Sequence, residues 1–160
     1  KNLTDFGLKL QIEEGFVYVL LLCLAIMIPL VFLASLTSGF VNKYPFLKIF
    51  NGDSYFGYTL LVWELVYILH FFCTEFFFRG FLIQSLKNSL GHYAIFVMTI
   101  PYCMIHFGKP APEAFAAIVA GVFLGWLSYT NGSIWLGLTL HCSVALLMDF
   151  LALYQKKSLF

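Results

Sequence analysis

Four residues of the 160-residue chain have the types and spacing for proton chemistry. Glu75 and Arg79 stand four apart in TEFFFRGFL, and His106 and His141 follow in YCMIH and LTLHCSV. Four residues are about one helical turn, so the carboxylate and the guanidinium can pair on one face. If the two imidazoles converge on that carboxylate, three chemistries are open. A carboxylate or histidine can activate water while the second histidine stabilises the developing oxyanion. One glutamate with two histidines is also a zinc-ligand set, although the helical HExxH signature is absent. Cys103 or Cys142 is a third option, but a thiol in apolar surroundings makes a poor nucleophile. Water activation without a cofactor is the preferred reading, with a metal at Glu75, His106 and His141 as the alternative.

The surroundings make these residues unusual. The chain is 61% apolar, 19% aromatic and only 11% charged, with a mean hydropathy of +0.89, whereas soluble domains carry about 25% charged residues. That excludes a water-soluble fold. The net charge of +1 comes without a run of like sign, so no nucleic-acid surface and no polybasic lipid-binding segment is visible. The expected fold is an all-α, polytopic transmembrane helical bundle of about five or more spans at roughly 20 residues each. It forms one membrane-embedded domain over residues 1–160, with the chemistry in a core of about 59–155. The lipid bilayer is its first partner and a multi-pass place in a membrane, read as a bacterial cell membrane, its location.

The elements follow from the breaks. Residues 1–15 read as an interfacial lead-in, and the first span runs over about 16–40 with Pro29 inside it. Pro, Gly, Asn and Asp among lysines and tyrosines mark 41–58 as an interfacial loop. The second span covers about 59–86, and a short stretch of 93–107 containing Pro101 forms the third. The fourth, about 114–130, carries Ala117, Gly121 and Gly125 at the four-residue spacing that lets helices approach closely in lipid. The fifth, about 134–154, follows the Asn131-Gly132 turn and ends at Lys156 and Lys157. The chain begins with Lys1 rather than Met and shows no signal peptide, which reads as a trimmed or processed form with room for helices upstream. The four cysteines match no disulfide or metal spacing.

Seven ionisable residues fall within these spans: Glu64, His70, Glu75, Arg79, His106, His141 and Asp149. At roughly 2.5 to 3.5 kcal/mol for a charge at a helix centre, they must be neutral, paired or facing water. Glu64 and Asp149 lie near span ends and are expected to reach the interface, and His70 to be a packed polar residue. Glu75, Arg79, His106 and His141 are the expected catalytic set.

The three segments TEFFFRGFL, YCMIH and the stretch from His141 resemble the motifs of the CAAX-protease and bacteriocin-processing intramembrane glutamic proteases. That pattern is Glu-Glu-x-x-x-Arg, Phe-x-x-x-His and His-x-x-x-Asn or Asp. The resemblance implies that His106 activates water with a glutamate, that His141 binds the scissile carbonyl, and that Glu75 and Arg79 form a geometry-holding ion pair. It implies no metal, and a membrane-associated protein or peptide as substrate. Tyr102 stands at the aromatic position. Thr74 occupies the place of the first glutamate and Ala145 that of the Asn or Asp. A threonine hydroxyl has no base of its own, so the carboxylate is missing, replaced or supplied from elsewhere. Glu113, seven residues after His106, is the candidate from elsewhere, although a glutamate at a helix start also serves the helix dipole. The competing functions are a catalytically silent membrane protein of the same fold that binds a peptide or protein partner, and a transporter, for which no inverted repeat is evident.

Overall fold

The computed structural model describes residues 2–9, 15–47 and 58–156, and the expectations for residues 10–14, for most of the 41–58 loop and for Lys157 lie outside them. Among the described residues the chain is all-α, with no strand. The helices are α1 (Phe16–Ser35), α2 (Ser38–Lys43), α3 (Tyr58–Glu75), α4 (Ile83–Leu90), α5 (Tyr93–Met104), α6 (Ala111–Asn131) and α7 (Trp135–Gln155). A 3₁₀ turn, Leu3–Phe6, precedes α1, and a π-helical stretch, Phe76–Leu82, joins α3 to α4. Four helical segments are long and apolar enough to cross a membrane: α1, the continuous Tyr58–Leu90, α6 and α7. Helix α5 is apolar but shorter.

Several span ends differ from the sequence reading, each for a local reason. The first span stops at Ser35 rather than 40, because Thr37 caps a new helix: its Oγ1 donates to the Ala34 carbonyl at 2.7 Å and accepts from the Phe40 N–H at 3.3 Å. Helix α6 starts at Ala111, since Pro112 in its first turn gives up only a donor that the helix does not use. Helix α5 ends at Met104, and His106 lies in the tight turn after it rather than on the helix, with its N–H on the Cys103 carbonyl at 2.9 Å.

The chain divides into two compact units. The first comprises Lys1–Phe16 and Phe72–Thr139. Its core is Phe78, Ile83, Met98, Tyr102 and Ala117. The small-residue stripe works as expected. A Cβ at Gly121 would stand 2.8 Å from the Thr99 methyl, and one at Gly125 2.8 Å from the Met98 terminal methyl, so α6 meets α5 at a separation that larger residues would prevent. The 3₁₀ turn is held by the Asn2 N–H on the Asp5 carboxylate at 2.7 Å, and it docks through Phe6 on Phe81, ring centres 5.7 Å apart. Just beyond it, Gly7 at φ +84° accepts the Ile134 N–H at 3.1 Å.

The second unit comprises Val17–Phe71 and Leu140–Phe160. Val31, Phe40, Tyr44, Leu151 and Ala152 form its core, so Phe40 of α2 and Tyr44 just after it are buried. Asp149 corrects the sequence expectation: its side chain is only 1% exposed and does not reach the interface. Its position six residues before the end of α7 leaves it about 9 Å inside the helix terminus, too deep for a short side chain. Glu64 is partly buried.

Candidate active site

The second span does what the spacing asks, by a route that the spacing did not reveal. Glu75 closes α3, and the backbone then widens into the seven-residue π-helical stretch that carries Arg79. Such winding is rare and disturbs the regular carbonyl pattern. Here the Arg79 carbonyl accepts the Ser128 hydroxyl from α6 at 2.9 Å, and the Ser128 carbonyl in turn accepts Gln84 Nε2 at 3.0 Å. The ion pair survives the change of winding: Arg79 Nη1 donates to Glu75 Oε1 at 3.0 Å, with both side chains at most 1% exposed.

From Arg79 a line of contacts runs to His106. The guanidinium carbon lies 3.8 Å from the centre of the Tyr102 ring, a cation–π distance, and Phe78 packs edge-on against the same ring. Four residues on, the His106 ring stands 4.8 Å from the Tyr102 ring and its Nδ1 is 2.9 Å from the Tyr102 carbonyl oxygen. A carbonyl only accepts, so Nδ1 carries the proton, and in the neutral imidazole the lone pair belongs to Nε2. His106 is thus a buried imidazole whose Nδ1–H is held by that carbonyl. Glu75, Arg79, Tyr102 and His106 all lie in the first unit.

The other expected residues fall as follows. Thr74 is buried beside Glu75 in the chain and at the end of α3. Glu113 sits in the first turn of α6, and its Oε1 accepts from Lys109 Nζ at 2.7 Å. His141 belongs to the second unit, partly buried, with its ring 4.5 Å from that of Phe71. Ala145 is buried one turn later. His70 is exposed, not packed inside, and stacks loosely on Tyr67. Within neither unit do three His, Cys, Asp or Glu side chains among the described residues gather as a metal-ligand set.

Two further residues matter that the motifs did not mark. Gly137, in the first turn of α7, leaves room for the glutamate: a Cβ there would stand 2.8 Å from Glu75 Oε2. The same carboxylate, Arg79, Ser128, Asn131 and Ser133 line a cavity that His106 does not reach, with space for about one water molecule. A glycine inside an apolar helix was the available signal, but it has many causes.

The motif order and this geometry can now be set against known proteins. A family model described as type II CAAX prenyl endopeptidase, Rce1-like, matches residues 56–147. The chain belongs to this family. The matched stretch holds Thr74, Glu75, Arg79, His106, Glu113, His141 and Ala145, and stops two residues before Asp149. No match was found among curated proteins or among solved structures. Membership in an Rce1-like family and four apolar helices of membrane-crossing length make this an integral membrane protein.

Proposed function

We propose that the chain is an intramembrane endopeptidase that hydrolyses a membrane-associated protein or peptide, with His106 as its base and its rate limited by Thr74. The observation that carries this reading is the fixed tautomer of His106, whose Nδ1 proton is committed to the Tyr102 carbonyl at 2.9 Å. Nε2 then takes a proton from water as the water oxygen bonds to the scissile carbonyl carbon. The carbonyl electrons move to oxygen, and His141 donates to that oxyanion. On collapse the C–N bond breaks and the imidazolium returns its proton to the leaving amine.

Glu75 is a poor second base, because protonating it would leave the Arg79 charge buried without its counter-ion. By the family pattern, the place for the missing carboxylate is position 74, where Thr74 stands. Turnover with hydroxylamine present tests the chemistry, because direct attack by water leaves no acyl-enzyme for hydroxylamine to trap, whereas an acyl-enzyme on a thiol or hydroxyl would give a hydroxamate. A hydroxamate product, or cleavage that survives His106→Ala, would contradict it. The second reading, a silent protein that binds a peptide or protein partner, is favoured by Thr74 and Ala145 together. Neither residue supplies the proton acceptor or donor that its motif position calls for.

A further inference from the structure

The second unit holds a pair of acidic residues that the peptidase reading does not use. The Phe71 and His141 rings touch at 4.5 Å. Glu64 lies seven residues back along α3 and Asp149 eight residues on along α7. Both steps are about two helical turns, roughly 10 to 12 Å. The Asp149 charge bears on Glu64, and the Trp63 indole is a hydrogen-bond partner of Asp149, so the helices run in opposite directions and bring Glu64 and Asp149 to a similar depth. Asp149 is 1% exposed. Apart from the Trp63 indole N–H, neither its carboxylate oxygens nor Glu64 Oε2 has a hydrogen-bond partner among the described residues.

Two facing carboxylates at this depth cannot both keep an uncompensated charge in hydrocarbon. We propose that Glu64 and Asp149 hold one proton between them, forming a protonation site apart from Glu75 and His106. A divalent cation fits poorly. Calcium takes about six to eight oxygen ligands and magnesium a near-ideal octahedron, whereas here two carboxylates face one indole N–H and no third acidic or imidazole ligand joins them among the described residues. The charges also close. Two carboxyl groups with one proton carry a single negative charge, and Lys156, two turns beyond Asp149 and under its influence, supplies the positive one. Around the pair, α1 offers no charged side chain. Lys43 of α2 is turned to the Phe46 ring, and His70 lies on the exposed side of α3.

The test is thermal unfolding of the purified chain in detergent from about pH 5 to about pH 8, the range in which buried carboxyls titrate. The comparison is with the double variant Glu64→Gln, Asp149→Asn. The folded parent binds one proton more than its unfolded state, so raising the pH destabilises it. The parent's unfolding constant should rise by up to about tenfold per pH unit more than that of the variant, until the folded pair itself gives up its proton. Equal slopes overturn the proposal. So does stabilisation of the parent by sodium or magnesium relative to choline at constant ionic strength, which would mean a metal cation in the proton's place. Should the variant fail to fold, infrared spectroscopy of the parent decides. A protonated-carboxyl stretch at neutral pH, lost in Glu64→Gln, supports the bound proton, and no such band overturns it.

Discussion

The Arg79 guanidinium carbon stands 3.8 Å above the centre of the Tyr102 ring, and Tyr102 is the residue whose carbonyl oxygen holds His106. One residue therefore joins the ion pair at the start of the π-helical stretch to the His106 imidazole in the turn after α5. A fully buried ring over a cation, with an edge-on Phe78 behind it, contributes in two ways: desolvated cation–π attraction of about 2 kcal/mol and ordinary core packing.

Tyr102→Phe keeps the ring and should leave the melting temperature within a few degrees of the parent, whereas Tyr102→Ala removes ring and cation–π contact together. Large-to-small changes of this kind cost about 3 to 5 kcal/mol. Circular dichroism melts in detergent check this. Equal losses for both variants would assign the stability to the hydroxyl and not to the ring.

Glu75→Gln should lower stability by about 3 to 5 kcal/mol, because it leaves the Arg79 charge buried with no counter-ion. Replacing both residues, as Glu75→Gln with Arg79→Met, should recover part of that loss. A double-mutant cycle read by thermal unfolding measures the coupling. Additive losses would show that the two side chains do not stabilise each other.

A Cβ at Gly80 would collide with the carbonyl oxygen of Phe6. Gly80→Ala should therefore loosen the 3₁₀ turn from the π-helical stretch at a cost of about 1 to 3 kcal/mol. Limited proteolysis is the sensitive readout, since cleavage near residues 2–9 should accelerate while α6 stays protected. Unchanged cleavage would show that the turn is not seated on Gly80.

The all-α membrane fold was legible because hydropathy and helix length are dictated by the bilayer, and the Ala117, Gly121 and Gly125 stripe because close helix approach needs small residues. The Glu75–Arg79 pair was legible from its spacing. Its winding was not, because nothing in FFFRGFL distinguishes five-residue from four-residue backbone pairing, and the change depends on Ser128, 49 residues away, satisfying the Arg79 carbonyl. The ends of α1 and α5 were misplaced because single capping and turn interactions set them. The interface expectation for Asp149 failed for a different reason: six residues inside the end of α7 is about 9 Å, farther than its short side chain extends.

Position 74 bears most directly on function, and cleavage of a co-expressed membrane-associated substrate peptide measures it. Four chains are compared: the parent, Thr74→Glu, and Thr74→Glu combined with His106→Ala or with His141→Ala. The parent should work near background. Thr74→Glu should gain about 10²- to 10⁴-fold, the usual range for general-base assistance, and either histidine substitution should abolish the gain. Robust cleavage by the parent that Glu113→Gln removes would place the working carboxylate at the start of α6. No cleavage by any of the four chains would contradict the endopeptidase account and leave the silent binding protein.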